Sequence, residues 1–274
     1  MAFAGEVAWI TGASSGIGAA IARGLAAEGA HVVLSGRNRE ALEAVAADCG
    51  EALVLPFEAT DYAAACGAAD AAWDWAAARS GGVDLLFNNA GISQRSIAAQ
   101  TDFAVYERII AVDLLAPIAL TQALLPRMVA RRKGRVAMVA SIAGKVGSPM
   151  RTAYSAAKFG LIGYADALRT EVTSDGLQVH VIAPGSVRTE VSRNALNGDG
   201  SARGVSDRAI DKGMDPADAA AAMIAAMAAG EREIIIARGL ELDIGEATRT
   251  PDAIFDKMAA LFADGYVAKM GKGT

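Results

Sequence analysis

Only two cysteines occur in the 274 residues, Cys49 and Cys66, and they show neither metal-ligand spacing nor a disulfide framework. Each sits in a helix-like stretch beside alanines and reads as a structural thiol, so no metal is expected. Histidine is equally scarce. His31 and His180 lie in or beside strand-like runs, and no histidine neighbours a candidate nucleophilic serine in the sequence, which disfavours hydrolysis. Positive charge is also in short supply: 26 Lys+Arg against 31 Asp+Glu leave a net charge of -5. No basic field then stands ready for nucleic acid or an anionic membrane, and any anion must be held by a local device. With seven prolines, 21% charged and 53% apolar residues, the composition is that of a folded globular protein. No basic segment precedes the short apolar stretch at the start, and no apolar run is read as reaching about 18 residues. A cytoplasmic protein with no membrane or nucleic-acid partner is the expectation.

What is present is a regular alternation. Short β-type runs at 6–11, 31–35, 52–57, 83–87, 134–140, 177–183 and 232–237 are separated by longer alanine-rich helical segments. This predicts an α/β protein with one doubly wound sheet of about seven parallel strands and helices on both faces. Runs such as Val32-Val33-Leu34 and Leu85-Leu86-Phe87 are apolar without alternation, as strands buried on both faces must be. No linker or repeat interrupts the series, so residues 1–274 read as a single dinucleotide-binding catalytic domain with a helical extension at about 240–274. The least regular stretch, Asn194 to Gly213, is rich in Gly, Ser, Asn, Asp and Arg and reads as a lid or a disordered connector.

The first strand runs into Thr11-Gly12-Ala13-Ser14-Ser15-Gly16-Ile17-Gly18 and then a helical segment. Gly12 permits a tight turn, Gly16 lets the backbone approach a pyrophosphate, Gly18 allows close helix contact, and the helix N-terminus offers free N–H groups. Strand, glycine turn and helix in this order point to a dinucleotide, with Ser14, Ser15 and Ile17 in the same loop. The second strand ends in Ser35-Gly36-Arg37-Asn38-Arg39, where NAD would call for a carboxylate on its ribose. Gly36 removes that repulsion and Arg37 can bond a 2′-phosphate, with Arg39 a helper. NADP(H) is the expected cofactor, with NAD(H) possible; the plainer alternative is that both arginines only decorate a solvated helix start.

Tyr154 and Lys158 are four apart in a helical segment, so they project from one side about a turn apart. A free tyrosine titrates near ~10, too high for acid-base work at neutral pH, but an adjacent ammonium favours the phenolate. Such a pair alone would more often be a core ring beside a surface charge. Ser141 adds to it by ending the run Val136 to Ala140, which places a hydroxyl at the carboxyl edge of the sheet where ligands bind in open α/β folds.

Together these motifs resemble those of the short-chain dehydrogenase/reductase family over about Gly5 to Ala237. Besides Thr11 to Gly18, the resemblance is carried by Asp84, by Asn88-Asn89-Ala90-Gly91, by Ser141, Tyr154 and Lys158, and by Pro184-Gly185-Ser186-Val187-Arg188-Thr189. It implies a Rossmann-like fold and hydride exchange with the carbonyl or secondary alcohol of a small, apolar substrate. Tyr154 would be the general acid or base, Ser141 would orient the carbonyl, and Lys158 would tune Tyr154 while binding ribose. Asn89, Ala90 and Gly91 would flank the cofactor, and Pro184, Gly185, Val187 and Thr189 would meet its nicotinamide amide and phosphates.

The chain departs from the family twice. Where relatives carry an asparagine in a Val-Asn-Leu-like run, it reads Val112-Asp113-Leu114; Asp113 is either a proton-relay member that keeps Lys158 charged or a residue satisfying backbone groups in a kinked helix. Beyond Leu240 the ending used by relatives for subunit contact is replaced. Thr250-Pro251-Asp252 reads as a helix start, followed by Ile254, Phe255, Met258, Leu261 and Phe262 on an apolar face that covers the domain base or shapes a pocket. Substrate determinants are expected at Gln94 to Ile97, Lys145 to Met150 and the loop after Thr189. The helices at 103–132 and 152–175 resemble those that pair relatives, which implies a homodimer, with a tetramer possible. The rival to an enzyme is a catalytically weak NADP-binding sensor or scaffold of the same fold.

Overall fold

A computed structural model describes residues 1–248 and 250–264, without the side chains of Met258, Leu261 and Phe262. Seven strands form one wholly parallel sheet: β1 (Val7–Thr11), β2 (His31–Ser35), β3 (Ala52–Val54), β4 (Leu85–Asn88), β5 (Gly134–Val139), β6 (Leu177–Pro184) and β7 (Glu233–Ile236). Their order, β3-β2-β1-β4-β5-β6-β7, reverses direction between β1 and β4. That reversal opens a crevice at the carboxyl ends of β1 and β4, the place where open α/β sheets bind ligands.

The strands alternate in which layer they feed. Along β1, Ala8 and Ile10 join a core with Ile21 and Leu25 of α1 (Gly16–Ala27), Leu42 of α2 (Arg39–Ala47) and Met223 of α8 (Pro216–Ala228). Val7 and Trp9 face the opposite layer, made by α3 (Tyr62–Ser80), α5 (Ala116–Arg131) and α6 (Thr152–Val172), while Val105 and Ile109 of α4 (Phe103–Ile110) pack in a smaller cluster with Ala153 and Ala157 of α6. Ala65, Ala69, Ala72 and Ala76 form the buried stripe of α3, and their spacing of four, three and four keeps one small-residue face against the sheet. The remaining helices are the short α7 (Arg208–Asp211) and two in the tail, α9 (Leu240–Ala247) and α10 (Asp252–Ala263).

Three expectations are corrected. First, the helical run Phe103–Arg131 holds an 18-residue window long and apolar enough to cross a membrane by length and composition. Val105, Ile109, Leu120, Leu124 and Met128 are nevertheless buried within the domain, so the run serves as core helices. Second, the segment 194–213 is neither an open lid nor a connector. Ser192, Ala195 and Leu196 are buried, Leu196 exchanges backbone bonds with Ser93 and Arg95, and Asp207 binds the guanidinium groups of Arg95 and Arg203. Those arginines hold the Asp207 carboxyl well below its usual range despite the opposing cost of burial. Third, in the tail, Phe255 is buried under the Arg169 guanidinium, 4.2 Å from its ring centroid, while Ile254 faces solvent. The apolar face expected there is therefore narrower at the described side chains; Met258, Leu261 and Phe262 lie outside them, as do residues 265–274 of the extension.

Asp84 ties the amino ends of three elements together. Its buried carboxylate accepts the Val7 N–H at 2.9 Å and pairs with Lys133 at 2.8 Å and with Arg131. Burial would raise its pKa, but bonds from Lys133, Ser80, Val7 and Arg131 outweigh that and lower it. Because the folded value is depressed, this stabilisation is present above the unfolded carboxylate value near ~3.9 and is lost as pH falls through the folded one. Asp84→Ala, which strands Arg131 and Lys133, is expected to cost about 3 kcal/mol in denaturant unfolding at pH 7. The difference from the parent should shrink in strong acid; a constant difference from pH 7 to pH 2 would refute the assignment.

Candidate active site

The β1 carboxyl end leads into the glycine turn, where Gly12 and Gly16 have φ of +66° and +56°, backbone that side chains seldom adopt. A Cβ on Gly12 would lie 2.8 Å from Ala90 Cα, one on Gly16 would lie 3.0 Å from Thr189 Cγ2, and one on Gly18 would collide with the Gly12 carbonyl. Thr11 and Asn89 lock this turn to the β4 loop. Thr11 Oγ1 accepts N–H groups from Asn89 at 3.0 Å and Ala90 at 3.1 Å, and Asn89 Nδ2 donates to the Thr11 carbonyl at 3.0 Å.

The α1 N-terminus is left open. Side chains of Asn38, Asp61 and Asp215 cap α2, α3 and α8, whereas Ser15 makes no such bond and no acid stands in the first turn of α1. Its free N–H groups and positive dipole end face a groove of about 770 Å³ that Ser14, Ser15, Gly16, Arg188 and Thr189 help to line. On the other side of Gly12 a small apolar recess is bordered by Gly36, Phe57, Ala59, Ala90 and Val112. A cradle that side chains would fill, an uncapped helix end for a diphosphate and an apolar recess for a base fit a dinucleotide.

Arg37 stands beyond that recess, largely exposed, with Nη1 3.7 Å from Glu58 Oε2. Arg39 faces Glu43 along α2, and the Asn38 side chain is occupied as the α2 cap. Asn88 is buried and donates to Thr121 Oγ1 at 3.1 Å, so it supports the sheet.

At the carboxyl end of β5, Ser141 caps a short turn, 142–144. Its Oγ accepts the Ala143 N–H at 3.1 Å and lies 3.4 Å from the Pro184 carbonyl at the end of β6. The turn sits directly on α6, since a Cβ on Gly144 would be 2.8 Å from the Lys158 carbonyl carbon and oxygen. Lys158 is buried; its Nζ donates to the Val139 carbonyl at 3.0 Å and lies 5.6 Å from the Tyr154 ring centroid.

Asp113 reaches the same ammonium. It sits in a π-type turn over 111–115 between α4 and α5, fully buried, with Oδ1 accepting the Ile92 N–H at 2.8 Å and Oδ2 3.3 Å from Lys158 Nζ. Both readings of Asp113 thus have a contact, one backbone and one ionic. Burial pushes the Asp113 carboxyl up against the pull of Lys158 and Ile92. For Lys158, burial works against the charged form, but Asp113 and then Tyr154 outweigh it and raise the pKa. Gly91 allows the approach: a Cβ there would be 3.0 Å from Asp113 Oδ2.

Residues expected to shape the substrate loops divide. Val146 and Met150 are exposed beyond the Ser141 turn, Met150 with φ +61°. Lys145 instead turns inward to a buried pair with Glu233, and Gln94 is wholly buried, with Oε1 accepting the Ala153 N–H at the start of α6. His180, buried against the Glu231 carbonyl, is pushed down to about 4 chiefly by burial and stays neutral. Among the described residues no cluster of metal ligands occurs.

Asp113→Asn should keep the Ile92 contact while removing the charge that holds Lys158 protonated. The Lys158 titration, followed by NMR of labelled lysine, is expected to move to lower pH, and alkaline loss of stability should begin earlier. The sign follows from a folded lysine value raised above the unfolded ~10.4, whose contribution is complete below that pH and lost as pH rises through the folded value. An unmoved titration would show that Asp113 serves only the backbone.

The chain is similar to known proteins in sequence and in fold. Residues 6–199 match the family profile described as short chain dehydrogenase. A dehydrogenase/reductase SDR family member 7B from Danio rerio is 38% identical, with 85% of this chain and 77% of that protein covered. An SDR family protein 7-like from Anopheles gambiae is 37% identical over 85% of this chain and 75% of its own. Among solved structures, a metagenomic short-chain oxidoreductase in complex with NADP superposes with a TM-score of 0.71 at 31% identity, covering 88% of this chain and all of that one. A short-chain dehydrogenase from Streptomyces avermitilis gives 0.75 at 28% identity over 98% of each.

Proposed function

Because the chain belongs to the short-chain dehydrogenase/reductase family, we propose that it is an NADP(H)-dependent oxidoreductase acting on the carbonyl or secondary alcohol of a small, apolar substrate. The observation that carries this reading is the buried Lys158 ammonium, held by Val139 and Asp113 beneath Tyr154, with the Ser141 turn seated on the same helix. A bound nicotinamide supplies hydride in reduction and accepts it in oxidation. Ser141 Oγ donates to the substrate oxygen and fixes its direction. Tyr154 Oη gives that oxygen its proton in reduction and takes one from the alcohol in oxidation. Lys158 holds its positive charge beside the Tyr154 ring and would be placed to bind the ribose, while Asp113 keeps Lys158 charged.

Arg37 supports the phosphate preference. Its pairing with Glu58 is long and exposed, worth little against a dianionic 2′-phosphate, and Gly36 presents no carboxylate to the ribose. The metagenomic neighbour was solved with NADP, consistent with that choice. Val146 and Met150 give the substrate loop its apolar character.

Fluorescence titration of NADPH and NADH, followed by turnover on a panel of ketones and aldehydes, tests the reading. The parent should favour NADPH, and Arg37→Asp should abolish that preference. Tyr154→Phe should bind NADPH as the parent does while losing about 10²–10⁴-fold in rate. Equal affinity for NADH would refute the Arg37 argument. Binding without turnover on any carbonyl would favour a sensor.

The second partner in this reading is another copy of the chain. Phe103, Leu115 and Phe159 are exposed on α4, the π-type turn and α6. Phe159→Glu is expected to shift a parent dimer toward monomer in analytical ultracentrifugation, and a parent already monomeric at micromolar concentration would reject it.

A further inference from the structure

The tail brings a carboxylate to the loop after β6. Glu241, on the first turn of α9, accepts the Ser186 backbone N–H on Oε2 at 2.7 Å and the Ser186 hydroxyl on Oε1 at 2.9 Å. The approach is so close that a Cβ on Gly185 would collide with Oε2. From the opposite side the Met214 N–H donates to the Ser186 carbonyl at 2.9 Å, so Ser186 is clamped on both its backbone groups. The next residue, Val187, is buried and opens the segment running to Thr189 beside Gly16.

The same helix reaches the turn that carries Ser141. A Cβ on Gly245 would lie 3.0 Å from Ile142 Cδ1, the residue after Ser141, and Lys145 Nζ lies 3.5 Å from the Thr248 carbonyl that follows α9. One eight-residue helix therefore touches the loop after β6 through Glu241 and the turn after β5 through Gly245.

We infer that Glu241 is a positioning residue that sets the loop 184–189 for the nicotinamide half of the cofactor, making α9 a strut of the active site. This rests on the proposed NADP(H) reading. Two hydrogen bonds from one residue, through its backbone N–H and its hydroxyl, to a single side chain fix that residue's backbone direction where one bond would leave it free to turn. Loops at a sheet edge lose their register when such a bond is removed, because the freed N–H turns toward water. An adenosine half held by the recess beside Gly12 and by Arg37 would make no use of Glu241, which does not border that recess.

That asymmetry supplies the test. NADPH and 2′,5′-ADP, which lacks the nicotinamide half, are titrated against the parent, Glu241→Ala, Glu241→Gln and Ser186→Ala. Glu241→Ala should weaken NADPH about tenfold and leave 2′,5′-ADP unchanged, since bonds to a charged group are each of that order. Glu241→Gln, which can still accept the N–H and meet the hydroxyl, should stay within about twofold of the parent, and Ser186→Ala should fall between. Three results overturn the proposal: NADPH affinity unchanged in Glu241→Ala, both ligands weakened equally, or Gln as weak as Ala. If the parent binds neither ligand, the cofactor reading itself fails and the inference goes with it.

Discussion

The burial of a lysine ammonium is the constraint around which this site is built. Lys158 cannot stay charged in the interior without oxygen ligands, and the fold delivers them from two separate elements. The Val139 carbonyl at the last residue of β5 takes one proton, and Asp113 brings the countercharge from a helix that widens into a π-type turn to place it. Such turns insert an extra residue into the helix and redirect side chains at that point. Glycine is then required where the β4 loop passes, because Gly91 lies against Asp113 and Lys158 together. Gly144 lacks a side chain for a separate reason, since the serine turn rests on the Lys158 backbone. The charge on Lys158 thus ties together the end of β5, the π-type turn and the β4 loop.

Much of this could be read from the chain because parallel sheets leave an unambiguous pattern. Runs such as Leu85-Leu86-Phe87 are apolar on both faces, and all seven expected strands are in the sheet. The edges differ for stateable reasons. β3 was expected to reach residue 57 but ends at Val54, although Leu55 and Phe57 beyond it still donate to the Leu34 and Gly36 carbonyls. Gly12, Tyr154 and Lys158 were legible because their spacing is local. Gln94, Lys145 and Glu241 were not. Each meets its partner across more than fifty residues, Gln94 at Ala153, Lys145 at Glu233 and Glu241 at Ser186, and no periodicity encodes such pairs. The irregular composition of 194–213 misled in the opposite direction: it resembles a free loop, yet Asp207 gathers arginines 112 and four residues away and anchors it.

The tail is joined to the sheet edge by polar groups as well as by packing. Glu233 on the edge strand faces Lys145 from the serine turn and also accepts the Thr250 N–H at 2.9 Å. A buried ion pair is costly unless its remaining lone pairs are satisfied, and here the tail backbone contributes to that. Further along, Phe255 lies beneath Arg169, whose guanidinium donates to the Val179 carbonyl in β6 and to the Arg232 carbonyl just before β7. Burial lowers the pKa of that guanidinium, with Asp166 opposing the shift. The two tail helices thus close polar groups that the sheet edge would otherwise leave facing water.

This arrangement links the edge of the sheet to its centre. Glu233 and Lys145 brace the turn that presents Ser141, α9 braces Ser186, and Lys158 supports the same turn from beneath. Ser141 Oγ and the Pro184 carbonyl are 3.4 Å apart, so the serine turn and the loop after β6 already touch. A displacement of α9 would therefore act on hydroxyl and loop together rather than on either alone. Residues around Lys158 determine what chemistry is available, whereas the tail determines how closely the serine and the loop are held in register. The first rests on neighbours packed around one helix; the second depends on contacts made across the fold, such as Glu241 with Ser186.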